Sequence, residues 1–169
     1  QANLAACDYD SRSALHVAAS CGKPEVIRFL LKNGASINAI DRWNNTPLLC
    51  AVKHRQFEAV RLLTRAGAYL SLKPTVLGME LCMAAEAGDI EKLRAWKLAG
   101  ADFKTSDYDG RTPLHVAATK GQLLTVQYLV QEGADPLQKD SFNRTPIDDA
   151  LESRHNAVAT LLNNLQEVS

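Results

Sequence analysis

Four side chains in this sequence belong to the set from which nucleophilic catalysis is built: Cys82 as nucleophile, His16 or His115 as base, Asp148 to orient the base. Such a set acts only when nucleophile and base come within hydrogen-bond reach, about 3 Å. The spacing works against that. His16, Cys82, His115 and Asp148 are separated by whole multiples of 33 residues, so they hold one slot in a repeating unit. Stacked helical units lie roughly 10 Å apart, about one packed-helix spacing, which spreads the four along the stack. The sequence has no Gly-rich phosphate loop ahead of a basic residue, no H-E-x-x-H and no G-x-S-x-G. Cys7, Cys21, Cys50 and Cys82 contain no C-x-x-C pair. Neither metal nor cofactor is therefore expected, and four reduced thiols suit a cytoplasmic protein.

The 33-residue step recurs in every register. Ser13, Thr46, Met79, Thr112 and Thr145 open SALHVAAS, TPLLCAVK, MELCMAAE, TPLHVAAT and TPIDDALE. A Thr or Ser hydroxyl suits a helix N-cap, and the proline after Thr46, Thr112 and Thr145 suits the first helical position. Gly34-Ala35, Gly67-Ala68, Gly100-Ala101 and Gly133-Ala134 end second helices such as PEVIRFLLKNG, whose apolar residues fall at helical spacing. Asp8, Asp41, Asp107 and Asp140 share a third register, interrupted by Pro74. Asp8–Ser20 matches Asp107–Thr119 at nine of thirteen positions, which points to duplication of a multi-repeat block.

This pattern, with DYDGRTPLHVAA at its centre, resembles the ankyrin repeat family over essentially the whole chain. The resemblance implies an all-α repeat solenoid of helix-turn-helix pairs joined by β-hairpin fingers. The expected divisions are a remnant of a preceding repeat at 1–8, repeats at 9–41, 42–74 and 108–140, a divergent repeat at 75–107, and a C-terminal capping repeat at 141–169. A chain opening inside a repeat is expected to continue upstream. In the divergent repeat, Pro74, Leu77, Met79, Glu80 and Cys82 stand where the aspartate, turn glycine, capping threonine, proline and histidine would be. The finger SLKPTVLG at 71–78 is therefore expected to be irregular, and 71–80 to exchange hydrogen quickly.

The 19 basic and 19 acidic residues cancel, and no basic stripe points to nucleic acid. No apolar run reaches the roughly 20 residues that span a bilayer, so direct membrane contact is not expected. What the family resemblance implies is a protein partner, held on a concave surface of fingers and first helices. The finger candidates are Tyr9, Arg12, Trp43, Val76, Tyr108, Arg111, Phe142 and Arg144, and the helix candidates are Lys53, His54, Glu86 and Lys120. Tyr, Trp, Phe and Arg are the residue types that dominate interface hot spots. The arginines are expected to meet acidic groups on that partner. Asn38, in LLKNGASINAID, resembles the asparagine slot that a cytosolic hydroxylase modifies in ankyrin repeats. The run GMELCMAAEAGDIEKLRAWKLAGAD further resembles the ankyrin tails of cytosolic type I asparaginases, while DYDSRSALHVAA and DRWNNTP resemble those of glutaminases. Plant-type potassium channels carry a similar array. The implied function is a non-catalytic interaction module, serving as a regulatory or assembly tail of an asparaginase, with a glutaminase tail, a channel domain or a stand-alone scaffold as alternatives.

Overall fold

A computed structural model describes residues 6–167, with the side chains of 166 and 167 outside the description. Among these residues there are ten helices and no strand. They are α1 (Ala14–Ser20), α2 (Pro24–Lys32), α3 (Pro47–Lys53), α4 (Phe57–Arg65), α5 (Pro74–Glu86), α6 (Ile90–Leu98), α7 (Pro113–Thr119), α8 (Leu123–Gln131), α9 (Pro146–Glu152) and α10 (Asn156–Glu167). None is long and apolar enough to cross a membrane. The chain divides into two compact units. The first runs to Ser71 and includes Arg94–Gly100, and the second takes Leu72–Leu93 and the chain from Ala101 onward.

Local chemistry sets the short helices. The hydroxyls of Thr46, Thr112 and Thr145 accept the backbone N–H three residues on, and a proline follows each at the first helical position. α1 packs on α2 and α3 in the first unit, and α7 on α5, α8 and α9 in the second. Small residues at the facing positions, Ala18, Ala19, Ala51, Ala85, Ala117 and Ala118, are fully or nearly fully buried and let these helices approach closely. Leu30, Leu63, Trp96, Leu129 and Leu162 repeat at 33 residues, and all are buried.

The fingers are hydrogen-bonded turns; the expected β-hairpins reduce, among the described residues, to a single bridge between Cys7 and Ser13. Each turn is closed by its aspartate. Asp41 Oδ1 accepts the N–H of Trp43 and Asn45, and Asp140 Oδ1 those of Phe142 and Arg144. Asp8 and Asp107 do the same for Asp10, Arg12, Asp109 and Arg111. The turn position with φ > 0 is taken by Ser11, Asn44, Gly110 and Asn143, at 58°, 61°, 72° and 63°.

The third finger departs from the expectation. It is not irregular: helix α5 begins at Pro74 and absorbs all but its first three residues. Val76 is a half-buried helical residue, not a finger tip. The reason is local and tertiary at once. Leu77 supplies no residue suited to φ > 0, and Pro74 supplies no carboxylate to close a turn but fits the first helical position. Gly78 then sits so near the segment 106–107 that a Cβ would lie 2.0 Å from the Ser106 carbonyl oxygen. α5 opens without a side-chain cap at Lys73, as the loss of the threonine implies, but is continuous where an irregular finger was expected.

Candidate protein-interaction surface

The four residues that resembled a catalytic set each have a structural task. The Nδ1 of His115 accepts the Thr112 N–H at 3.2 Å, which leaves Nε2–H to donate to the Arg144 carbonyl at 3.0 Å in the next finger. His16 makes the same bridge from Ser13 to the Asn45 carbonyl, 2.9 Å away. Cys82, in the histidine slot, donates its thiol to the Arg111 carbonyl at 3.4 Å. Burial pushes that thiol up to about 12, so it holds its proton and is no nucleophile near neutrality. Burial likewise holds His115 below the usual histidine range. Asp148 Oδ2 accepts both the N–H and the hydroxyl of Thr145 at 2.8 Å, a capping role that lowers its pKa.

Two grooves lie beside the fingers, one in each unit. The first has a cavity of about 400 Å³ lined by Arg12, Val17, Trp43, Lys53 and His54. Trp43 is 58% exposed, and the Arg42 guanidinium stacks 5.3 Å from its ring centroid. Arg42 also pairs with Asp10 of the preceding finger at 3.0 Å. Arg12 reaches Ser20 Oγ at 3.2 Å, Lys53 reaches Asn45 Oδ1 at 2.8 Å, and His54 Nδ1–H donates to the Cys50 carbonyl at 2.9 Å. Asp41, beneath them, is 5% exposed. Burial raises its pKa, but hydrogen bonds from the Asn45 amide and from backbone N–H groups outweigh this and keep it low.

The second groove has a cavity of about 380 Å³ lined by Met79, Met83, Glu86, Arg111, Val116 and Lys120. Glu86 and Lys120 pair at 2.9 Å across it, and the hydrogen bond from Lys120 lowers the Glu86 pKa. Arg111 and Arg144 are not left for a partner as expected. Arg111 donates to Thr119 Oγ1 at 2.9 Å and lies 3.8 Å from Asp149. Arg144 contacts Asp149 at 3.4 Å and Asp140 at 3.6 Å, and pairs with Glu152. Asp149 is 3% exposed, and burial raises its pKa against the pull of both arginines. Ligand atoms of His115, Asp140 and Asp149 come within 4.8 Å of one another, but both imidazole nitrogens are engaged and two guanidiniums face the carboxylates. That surrounding charge opposes a cation. Asp149, Met79 and Met83 are the residues that sequence reasoning missed. The available signal was Asp149 itself, a carboxylate in a slot held elsewhere by Val17, Cys50, Met83 and Val116.

Tyr9, Tyr108 and Phe142 line neither groove. Tyr9 is fully exposed, Tyr108 is 71% exposed and Phe142 66%, with Arg144 stacked 5.7 Å from the Phe142 centroid. Asn38 lies half-buried in the turn region after α2, and its side-chain oxygen is buried without a hydrogen bond.

A family model described as ankyrin repeats (3 copies) matches residues 1–73 and 81–169. The chain belongs to the ankyrin-repeat family. The break in the ankyrin match falls at 74–80, where α5 replaces a finger. An L-asparaginase of Dirofilaria immitis is 42% identical over 145 residues, covering 86% of this chain and 25% of that protein. The potassium channel KOR1 of Oryza sativa subsp. japonica is 40% identical over 142 residues, covering 84% of this chain and 16% of the channel. The mitochondrial liver isoform of glutaminase from Rattus norvegicus is 37% identical over 90 residues, covering 53% of this chain and 15% of that protein. The ankyrin chain thus spans a quarter or less of each of these relatives.

Proposed function

We propose that this ankyrin chain is a protein-interaction module acting as the regulatory or assembly tail of a larger cytoplasmic protein of the asparaginase kind. The observation that carries the interaction reading is the exposure of finger aromatics, Trp43 at 58% and Phe142 at 66%. Large apolar groups left on turns have little intramolecular area to gain and have the composition of interface anchors. The asparaginase setting is supported by the 42% identity over 86% of the chain. The glutaminase and channel likenesses support the alternative in which the same module serves one of those proteins. The partner is a protein, and the exposed residues of the fingers and inner helices (Tyr9, Trp43, Lys53, His54, Glu86, Tyr108, Lys120 and Phe142), with half-buried Arg12, are where it is met. Amidase turnover of the isolated chain is expected to be absent. Turnover that survived repurification and vanished in His115→Ala would sink that part.

The decisive experiment joins Trp43→Ala with Phe142→Ala. Folding should stay nearly intact by thermal melt while partner capture drops roughly thirtyfold, the effect of losing about 2 kcal/mol of hot-spot contact. A lowered melting temperature with capture retained per folded molecule would mean that the rings only brace their own fingers. We further propose Asn38 as a single hydroxylation site, read as one added oxygen or none in intact-mass spectra after exposure to an asparaginyl hydroxylase.

A further inference from the structure

Arg12 and Arg111 hold the same place in their fingers and make the same hydrogen bond, to Ser20 Oγ and to Thr119 Oγ1. Thirty-eight residues beyond Arg111 stands Asp149, 3.8 Å from its guanidinium. Thirty-eight residues beyond Arg12 stands Cys50, which lines the same groove as that arginine. The second unit therefore supplies a carboxylate to its finger arginine from within, and the first supplies a buried thiol. Lys53 adds a second cation to the first groove, and among the described residues neither Arg12 nor Lys53 forms an ion pair. Asp41 keeps one negative charge at the base of the groove but forms an ion pair with neither. Its Oδ1 is taken by the N–H groups of Trp43 and Asn45, and the Asn45 amide donates to both its oxygens. In the second groove, by contrast, Lys120 is paired with Glu86.

We propose that the groove between α1 and α3 binds an acidic segment of a protein partner. An Asp or Glu of that segment, arriving from the open side of the groove, plays beside Arg12 and Lys53 the part that Asp149 plays beside Arg111. A neighbouring apolar side chain lies against Trp43 and Val17, which are 58% and 43% exposed along the same cavity. Desolvating two cations under an incoming carboxylate favours one sign of partner over the other, and so sets specificity and encounter rate. This inference rests on the reading of the chain as an interaction module and names the chemistry of what the module accepts.

The test titrates the whole chain with three labelled peptides that share a central Leu. One is rich in Asp and Glu, one is its Asn/Gln analogue, and one is its Lys analogue. The acidic peptide should bind at least roughly tenfold more tightly than the Asn/Gln analogue at low salt, and that margin should shrink as ionic strength rises. Arg12→Glu with Lys53→Glu should reverse the preference toward the Lys peptide. Cys50→Asp, which places the missing carboxylate inside, should abolish it. Lys53→Glu alone, at an exposed position, reads out the same reversal in part if the double variant unfolds. Equal binding of acidic and Asn/Gln peptides, or an acidic preference that survives charge reversal, overturns the proposal. In that case, partner capture still lost on Trp43→Ala would leave the interaction module standing without its acidic specificity. Failure of all three peptides together with capture insensitive to Trp43→Ala would remove both readings.

Discussion

Arg111 and Arg12 occupy equivalent positions three repeats apart, yet one lies beside buried Asp149 and the other shares its groove with buried Cys50. The backbone around them is the same in kind: an aspartate-closed turn, a residue at positive φ, then a capped helix carrying a histidine that reaches the next finger. One side chain in the slot just after the histidine changes what the surface offers. Where it is Asp149, the finger arginines Arg111 and Arg144 find a counter-charge within the unit. Where it is Cys50, Arg12 and Lys53 have no ion pair among the described residues, which is the opening the proposed acidic partner would use. A repeat scaffold can thus hold its fold constant while a single buried position decides whether a finger arginine has a counter-charge within the stack.

The largest effect should come from a change that affects only the second unit. Gly78→Val places side-chain atoms against the Ser106 carbonyl, where a Cβ already has 2.0 Å, and should cost about 3 kcal/mol. A chemical-denaturation midpoint close to wild type would mean that α5 does not rely on this approach. His115→Leu comes next. It strands the Arg144 carbonyl and the Thr112 N–H, for a loss of about 1–3 kcal/mol. His16→Leu should cost a similar amount in the first unit, and a large inequality would break the equivalence drawn above.

Acid sharpens the same comparison. Because burial depresses the His115 pKa below 6.5, the unfolded chain takes up a proton that the folded chain refuses. The contribution of His115 is complete above that pH and is lost as pH falls through 6.5 toward the folded value. The slope is at most about 1.4 kcal/mol per pH unit. Melts across this range should show a decline that is shallower in His115→Leu, and parallel curves would reject it. The smallest effect on stability should be that of Asp149→Val, which gives the second unit the apolar residue of that register. Burial disfavours the Asp149 charge, and Arg111 and Arg144, 28% and 37% exposed, regain water when it is removed, so stability should change by no more than about 1 kcal/mol. The released Arg111 should give the second groove an affinity for the acidic peptide that it lacked. No gain there would show that the carboxylate slot is not what separates the two grooves.

Much of this was legible beforehand. The caps at Thr46, Thr112 and Thr145, the positive-φ turn residue Asn44 and the buried leucine register with Trp96 all follow from interactions spanning a few residues, and a 33-residue repeat states them several times over. The site was legible in outline. Trp43, Tyr108 and Phe142 are exposed as expected, whereas Val76 and the charges on Arg111 and Arg144 are placed otherwise.

The sequence by itself determined where helices begin and end and which residues close each finger, because those choices are made between a side chain and backbone groups two to four positions away. Pro74 and Leu77 disfavour a turn in the third finger, but only the tertiary structure shows that helix fits there, with Gly78 meeting a backbone segment at Ser106. It alone decided, too, which arginines are spent. Asp149 stands out in sequence as a carboxylate in an otherwise apolar register, but becomes a buried counter-charge only because packing brings it beside Arg111 and Arg144 and removes water from around it.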